Sequence, residues 1–380
     1  MPCLNEAETL EGCILLARKG IEKSGRTGEI IVADNGSIDS SREIARRLEA
    51  KVIEVSLKGY GSALRAGTLM ARGRWIVMGD SDMSYDFSNI TPFLEKLEEG
   101  NDLVMGCRLP SGGGSIDPGA MPWLNRWIGN PGLSFIGRRL FQIKISDFQC
   151  GMRACSRAAF DRMELTANGM EFASEMVVKA ALKKMRIAEV PVTLHPDGRS
   201  RPPHLRRWRD GWRNLRFMLL FSPRWMFFYP GLILTALGLL LLLPLSFGDI
   251  QVRGAHLESG ALAVSGMTVI VGFQVLAFAL WAGSHPIVRG LRPPSAFLSR
   301  CLRFFSLERG LLLGMAVTLL GLGLIAHAML IWHAAGFGNL NAPEIMRVII
   351  PGTTAISIGV QMIFTSFFLS LLDLNTETGE

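Results

Sequence analysis

Arg74-Trp75-Ile76-Val77-Met78-Gly79-Asp80-Ser81-Asp82 decides the fold. A short apolar run that stops at two carboxylates reads as a buried strand ending at a site. In open α/β sheets the ligand lies beyond the carboxyl ends of the strands. Two aspartates two residues apart in an extended turn can share one hard divalent cation, and that cation can hold pyrophosphate oxygens. The stretch therefore points to nucleotide-linked group transfer. A lone Asp-x-Asp fits a solvated turn as well, so the reading depends on what flanks it.

On either side, helical and strand patterns alternate. Residues 6–23 read as a helix and 29–33 as a strand, followed by the turn Asp34-Asn35-Gly36-Ser37. A helix starts near Asp39, where Ser40 and Glu43 have capping-box spacing. Residues 51–55 are a strand, 61–71 a helix, 74–78 the strand before the aspartates, 87–98 a helix and 102–105 a strand. The stretch 111–145 is irregular, rich in Gly and Pro, and carries Trp123 and Trp127. Helices follow at 160–163 and 171–183, then a strand at 187–194. This alternation implies a mostly parallel, Rossmann-like sheet flanked by helices. Pro2-Cys3-Leu4-Asn5-Glu6 reads as the turn after a strand. The first strand is thus expected to be missing, either truncated or lying ahead of Met1, which would leave the domain marginal.

The chain has 380 residues and a net charge of +7, and its mean hydropathy is positive. Its halves differ. Residues 1–203 form the α/β domain, 204–224 an interfacial helix, and 225–380 a membrane domain with four uncharged stretches at about 225–247, 261–283, 310–332 and 348–372. Each is long enough to cross a bilayer, and none has the polar face of a soluble bundle helix. Leu205, Trp208, Trp212, Leu215 and Leu219 share a helical face, while Arg206, Arg209, Arg213 and Arg216 fall largely elsewhere. That is an amphipathic helix at the membrane surface. Arginines crowd the segment before the first stretch and the second loop (Arg289, Arg292, Arg300, Arg303, Arg309), against Arg253 and Arg347 in the other loops. The positive-inside rule then predicts a multi-pass cell-membrane protein with its α/β domain and C-terminus in the cytoplasm. The lack of a leader pattern ahead of the soluble half agrees with that expectation. The basic balance sits beside the membrane, so anionic lipid is the expected partner and nucleic acid is not. The six cysteines (3, 13, 107, 150, 155, 301) show no metal-ligand spacing and read as free thiols. A homo-oligomer is compatible with the sequence.

Six stretches, in order over residues 1 to about 220, resemble the family 2 glycosyltransferases of the GT-A fold, in the branch of polyprenyl-phosphate (dolichol-phosphate) sugar synthases. They are Pro2-Cys3-Leu4-Asn5-Glu6, Ala33-Asp34-Asn35-Gly36-Ser37-Ile38-Asp39, Gly59-Tyr60-Gly61-Ser62-Ala63, Gly79-Asp80-Ser81-Asp82, Gly106-Cys107-Arg108 and Asp147-Phe148-Gln149-Cys150-Gly151-Met152-Arg153. Three departures accompany the match: the missing first strand, Asn35 where many members have a second Asp, and Ser84 where some have a metal-holding Gln.

The resemblance and the residue chemistry together assign the site. Asp80 and Asp82 are the expected ligands of Mg²⁺ or Mn²⁺, with Asp82 catalytic, because that cation would neutralise the leaving nucleoside diphosphate. Glu6 and Asp34 sit at expected strand ends, where a carboxylate can accept from ribose hydroxyls or a base N–H. The resemblance gives Asp34 the base and puts Asn5 and Glu6 near the nucleoside; the bland alternative is helix capping by Asn5 and Asp39. Gly61 lies in a turn into a helix, where backbone N–H groups can meet the nucleotide. Arg108 follows a strand, and a guanidinium suits a phosphate monoester. The resemblance makes it catalytic, as holder of the acceptor phosphate, with Arg126 a second candidate. It also brings Asp147 to the reaction centre and Arg199 and Arg201 within reach of diphosphate or lipid phosphate. A phosphate monoester is already largely dianionic at neutral pH, its second pKa being near about 6, so Asp147 is expected to orient a cation or the sugar rather than act as a base. Glu171 and Glu175, one turn apart, face either sugar or water.

The expected activity is metal-dependent, inverting transfer of a single sugar, from UDP-glucose or GDP-mannose, to a polyprenyl phosphate. A processive polysaccharide synthase is the nearest rival, but Leu205-Arg206-Arg207-Trp208 lacks the Gln of that group's Gln-x-x-Arg-Trp. A non-catalytic paralogue that binds lipid phosphate is the rival from another class.

Overall fold

A computed structural model of the chain describes residues 1–201, 207–248, 250–252, 255–288 and 307–377. It divides into two compact units, Met1–Phe221 and Ser222–Glu380. Residues 204–206 of the amphipathic helix, most arginines of the second loop, Arg253 and Cys301 lie outside the described residues.

In the first unit, β1 (Pro2–Cys3), β2 (Ile31–Asp34) and β3 (Lys51–Glu54) form a parallel three-stranded sheet with β2 in the middle. The expectation that the first strand is absent is thus corrected. Pro2 and Cys3 pair with Ala33 and Asp34 and form a two-residue strand, not the turn after one. The paired edge of β2 is available there, and Cys3 is buried against Leu10, Ile14 and Val32. A second sheet runs in the order β4 (Trp75–Met78), β7 (Arg153–Ser156), β5 (Leu103–Cys107), β8 (Ile187–Pro191). β5 and β8 are parallel, whereas β7 is antiparallel to both of its neighbours. β7 has only Ala154 and Cys155 as apolar residues between Arg153 and Ser156, so it gives no strand-like apolar run. A small parallel pair joins β6 (Ser115–Ile116) to β9 (Thr193–Leu194).

Helices α1 (Leu10–Lys23), α2 (Ser41–Arg47), α3 (Tyr60–Leu69), α4 (Thr91–Glu98), α5 (Asn130–Phe141), α6 (Arg157–Met163), α7 (Phe172–Leu182) and α8 (Arg207–Leu220) cover the sheets. α1 buries Leu10, Cys13, Ile14 and Ala17, the one-face spacing of an amphipathic helix. α5 lies inside the stretch expected to be irregular; its Pro131 sits in the first turn, where the missing N–H costs nothing. The capping box expected at α2 does not form. Ser40 makes no side-chain cap, and Asp39 instead accepts from the N–H of Ser41 at 3.0 Å and of Ala7 at 3.1 Å. The core is built around Met105, Phe148, Phe172 and Met176 on one side of the second sheet and Phe87, Phe93 and Val104 on the other.

Among the described residues, the second unit holds four apolar helices: α9 (Tyr229–Phe247), α10 (Ser259–Val288), α11 (Leu307–Ala334) and α12 (Ala342–Glu377). Their membrane-length segments are Arg224–Phe247, Ser259–Ser284, Leu307–Ala334 and Ala342–Leu371, which match the four expected stretches. A two-strand hairpin, Ile250–Val252 with Ala255–Leu257, follows α9. α11 and α12 approach through glycines. A Cβ on Gly314 would lie 2.8 Å from the Gly359 carbonyl oxygen, and one on Gly321 would lie 2.6 Å from that of Gly352. Small residues are what allow such close contact where lipid removes the hydrophobic drive between helices.

Candidate active site

The carboxyl ends of β1, β2, β4 and β5 deliver Glu6, Asp34, Asp80 and Arg108 respectively. Asp80 and Asp82 lie in the turn after β4. Asp80 is half-buried, and burial first, then the charge of Asp82, pushes its carboxyl up to about 6; the Tyr60 hydroxyl, Arg199 and Arg153 pull the other way. A Cβ on Gly151 would lie 2.5 Å from Asp80 Oδ2, so only glycine leaves that oxygen its room. Asp82 Oδ1 accepts from the Ser84 N–H at 3.1 Å and from the Ser84 hydroxyl. Its Oδ2 lies 3.0 Å from Arg199 Nη2.

Arg199 arrives on a segment tied to this turn: Gly198 N–H donates to the Asp82 carbonyl at 2.9 Å and His195 N–H to that of Ser84 at 3.0 Å. Its Nε donates to Glu6 Oε2 at 2.8 Å, and Arg201 Nη2 lies 3.0 Å from Glu6 Oε1. The result is a chain of alternating charge, Asp82–Arg199–Glu6–Arg201. Burial holds the Glu6 carboxyl above its ordinary range even though both arginines pull it down. Asn5 (φ 59°) and Met83 (φ 66°) are both left-handed, a conformation costly for residues with a side chain. Asn5 directly precedes Glu6 and Met83 directly follows Asp82.

Arg108 and Asp147 face each other rather than an open groove. Arg108 Nε donates to Asp147 Oδ2 at 2.7 Å, its Nη2 to Oδ1 at 2.9 Å, and its backbone N–H to Oδ2 at 3.1 Å. Asp147 is fully buried and Arg108 is 7% exposed. Burial pushes the Asp147 carboxyl up, but the Arg108 charge and these hydrogen bonds win and hold it below its ordinary range. The remaining Arg108 Nη1 lies 3.5 Å from the Tyr85 hydroxyl, which accepts from Gly151 N–H at 2.9 Å. Glu189 on β8 accepts from the N–H groups of Ser146 and Asp147 and fixes that turn.

Residues 1–163 match the model of glycosyl transferase family 2, and residues 284–373 match that of the family 2 C-terminal transmembrane region. The low-salt glycan biosynthesis hexosyltransferase Agl6 of Haloferax volcanii is 38% identical over 378 residues, covering 98% of this chain and 88% of that one. The chain belongs to glycosyltransferase family 2. The glycosyltransferase AglJ of the same organism is 31% identical over 73% of this chain and 89% of its own. A dolichyl-phosphate hexose transferase, also of H. volcanii, is 33% identical over 43% of this chain and 68% of its own. Among solved structures, glucosyl-3-phosphoglycerate synthase from Mycobacterium tuberculosis is similar at 22% identity and a TM-score of 0.45, covering 58% of this chain and 77% of that one. The protein is thus a membrane-embedded glycosyltransferase with a GT-A, Rossmann-like domain.

Other residues singled out in the sequence take several places in this glycosyltransferase. Asp34 is buried and holds its own turn, accepting from the N–H groups of Gly36 and Ser37 at 3.1 Å each. Asn5 Oδ1 accepts from Ile38 N–H at 2.8 Å, a turn contact rather than a helix cap. Asn35 donates through Nδ2 to the carbonyls of Val55 and Leu57, at 3.1 and 2.9 Å, which an acceptor-only aspartate could not do. Gly61 is closely packed: a Cβ there would lie 2.4 Å from the Ala167 carbonyl and 2.8 Å from Phe172 Cβ. Arg126 lies on the turn Asn125–Gly129, 5.5 Å from the Trp127 ring centre, and no described contact joins it to Arg108. Glu175 faces neither sugar nor water. It is buried, 2.9 Å from Lys179 Nζ, and accepts from Thr166 and Ala167 N–H. Glu171 Oε2 is buried without a hydrogen-bond partner among the described residues.

Sequence reading missed Tyr60, Tyr85, Arg153 and Glu189 as supports of the site. Tyr60 and Arg153 lay inside stretches already singled out. Arg153 is 2% exposed; its guanidinium donates to the carbonyls of Cys150 and Ala173. Among the described residues, no cluster of three or more His, Cys, Asp or Glu side chains suits a metal. The two neighbouring carboxylates of Asp80 and Asp82 fit Mg²⁺ or Mn²⁺ all the same, since such ions take one or two carboxylates and fill the rest with substrate phosphates and water.

Proposed function

We propose that this glycosyltransferase moves one hexose from a nucleotide sugar to a polyprenyl phosphate, with inversion and with a divalent metal at Asp80 and Asp82. The observation that carries the reading is the pairing of those two carboxylates at the end of β4, with the Asp80 carboxyl raised to about 6 by burial and by its neighbour. Such a pair calls for a cation. The metal would stabilise negative charge on the departing nucleoside diphosphate.

The protein's own groups do the rest. Asp34, Asn5 and Glu6 line the nucleoside end, and Arg199 and Arg201 exchange their carboxylate partners for diphosphate oxygens. Asp147 holds Arg108 in one orientation, so that the Nη1 edge not bound to it meets the acceptor phosphate; Arg126 is a second phosphate contact. A phosphate oxygen of the lipid forms a bond to C1 of the sugar while the C1–O bond to the diphosphate breaks on the opposite face, its electron pair leaving with the diphosphate. No proton changes hands, because the acceptor monoester is already largely dianionic at pH 7, with a second pKa near about 6. The dolichyl-phosphate acceptor in the name of one relative supports this acceptor class.

The exposed Trp208 and Trp212 on the arginine-bearing α8 support contact with anionic lipid headgroups. Loop arginines support a cytoplasmic site. The test uses membranes containing the full chain, radiolabelled UDP- or GDP-sugar and polyprenyl phosphate. Label should enter the organic phase as a single-sugar lipid, stop with a chelator, and stop in Asp82→Asn. Full transfer by Asp82→Asn, or label in a long polymer, overturns the reading.

A further inference from the structure

α8 has two faces of unlike chemistry. Its outer face exposes Trp208, Arg209, Trp212 and Arg216. Its inner face buries Asp210, Asn214 and Met218 at one-turn spacing, and Phe217 packs against the core around Phe172 and Met176. Phe217 and Met218 are enough to seat the helix. Asn214 is a different kind of residue for a packing face, because a buried polar side chain costs stability unless it is hydrogen-bonded.

Asn214 is matched by a continuous series of donors and acceptors. Its Oδ1 accepts from the Ser174 hydroxyl on α7 at 3.0 Å. The Ser174 oxygen accepts in turn from Gln149 Nε2, also at 3.0 Å. The Gln149 backbone N–H donates to Asp147 Oδ1 at 3.1 Å, and that same oxygen accepts from Arg108 Nη2 at 2.9 Å. Ser174 is fully buried and Asn214 nearly so, so these bonds lie in a low-dielectric interior where each polarises the next. One end of the series is the guanidinium assigned to the acceptor phosphate. The other end is a helix whose exposed tryptophans suit lipid headgroups. From α8 the chain passes through Phe221, Ser222 and Pro223 into the first membrane-length segment, Arg224–Phe247.

We propose that Asn214, Ser174 and Gln149 are positioning residues for acceptor capture: they refer the Arg108–Asp147 pair to the seating of α8 on anionic lipid, and so set the direction of the Arg108 edge that meets the phosphate. The inference rests on the reading of Arg108 as holder of the acceptor phosphate. A guanidinium recognises phosphate through N–H groups in a fixed fork, and a misplacement of about 1 Å costs up to roughly a hundredfold in rate. The phosphate of a membrane lipid stands at one height in the bilayer. An arginine whose orientation is tied to a helix in the same headgroup layer is registered to that height, whereas one held by the core alone is not.

The test reconstitutes the full chain in phosphatidylcholine–phosphatidylglycerol vesicles with polyprenyl phosphate and a radiolabelled UDP- or GDP-sugar. The parent is compared with Asn214→Leu, with Trp208→Ala/Trp212→Ala, and with the triple variant. Gln149→Met breaks the series at its other end and replaces Asn214→Leu if thermal unfolding shows that variant to be unfolded. Asn214→Leu should raise KM for polyprenyl phosphate about tenfold, leave kcat and the nucleotide-sugar KM unchanged, and speed hydrogen exchange over residues 147–151 by a similar factor. The tryptophan pair should do the same in the parent and add nothing to Asn214→Leu, since both act through one series. A series that only braces the fold would lower the melting temperature and leave the lipid KM unmoved. That result overturns the proposal, and so do asparagine and tryptophan effects that simply add. Absence of transfer by the parent sinks the acceptor assignment, while the exchange measurement still decides whether α8 governs the pair.

Discussion

Arg108 and Asp147 form a two-pronged ion pair inside the protein, with the Arg108 backbone N–H as a third contact to the same carboxylate. Both Asp147 oxygens are committed: Oδ1 also accepts from Gln149 N–H at 3.1 Å. This arrangement suits an orienting group and not a base.

Loss of one partner should therefore be worse than loss of both. Asp147→Asn leaves a buried guanidinium without its counter-charge, a change that costs about 3–5 kcal/mol. The double variant Arg108→Met/Asp147→Leu should recover most of that stability and no transfer. Thermal unfolding of the single and double variants, with transfer assays alongside, checks this. A stable Asp147→Asn that loses kcat alone would make Asp147 a proton acceptor instead.

Asp80 gives a pH signature in the metal-free protein. Its folded pKa, about 6, lies above the ordinary 3.8. Between those values the folded state binds more protons than the unfolded state, so stability falls as pH rises. Glu6, also held up by burial, acts in the same direction. Asp80→Asn should flatten part of that slope and raise the melting temperature at pH 7. Saturating Mn²⁺ added together with a nucleoside diphosphate should restore stability to the parent chain and do little for the variant. Scanning calorimetry from pH 4 to pH 7 reads both effects.

Gly151 tests the room around Asp80. A methyl group there would sit 2.5 Å from Asp80 Oδ2 and 3.1 Å from the Tyr85 ring. Gly151→Ala should fold, weaken Mn²⁺ binding and cut transfer at least about tenfold, since a small misplacement at a reaction centre is costly. Electron paramagnetic resonance of Mn²⁺ added together with a nucleoside diphosphate separates binding from turnover.

In the second unit, Gly314→Leu should drive α11 from α12, because its Cβ would already meet the Gly359 carbonyl at 2.8 Å. Overpacking of this kind costs about 1–3 kcal/mol. The melting temperature in detergent should drop, while Gly323→Leu, whose Cβ meets nothing within 4 Å, should leave it unchanged.

The strand before Asp80 was legible because Ile76, Val77 and Met78 are apolar and end at Gly79-Asp80, and the four membrane helices because charge is absent over their length. β7 was not, because its place inside a sheet is held by Arg153, whose guanidinium is satisfied by the carbonyls of Cys150, three residues before it, and Ala173, twenty residues after it. α5 was hidden by Gly and Pro, which break helices in general but are tolerated in a first turn. Asp80, Asp82, Glu6 and Arg199 were all singled out in the sequence. What it did not reveal was their order in space. Which carboxylate meets which guanidinium depends on contacts between residues more than a hundred positions apart, and no local pattern records them.

The position of Arg199 between Asp82 and Glu6 has a kinetic consequence. Asp82 already faces a positive charge, so a divalent ion entering alone would have to evict a tethered competitor. An ion that arrives chelated by a diphosphate brings the evicted guanidinium new anionic oxygens to grasp. Donor and ion would then load as one unit, and the empty enzyme would ignore free metal at concentrations that suffice for turnover.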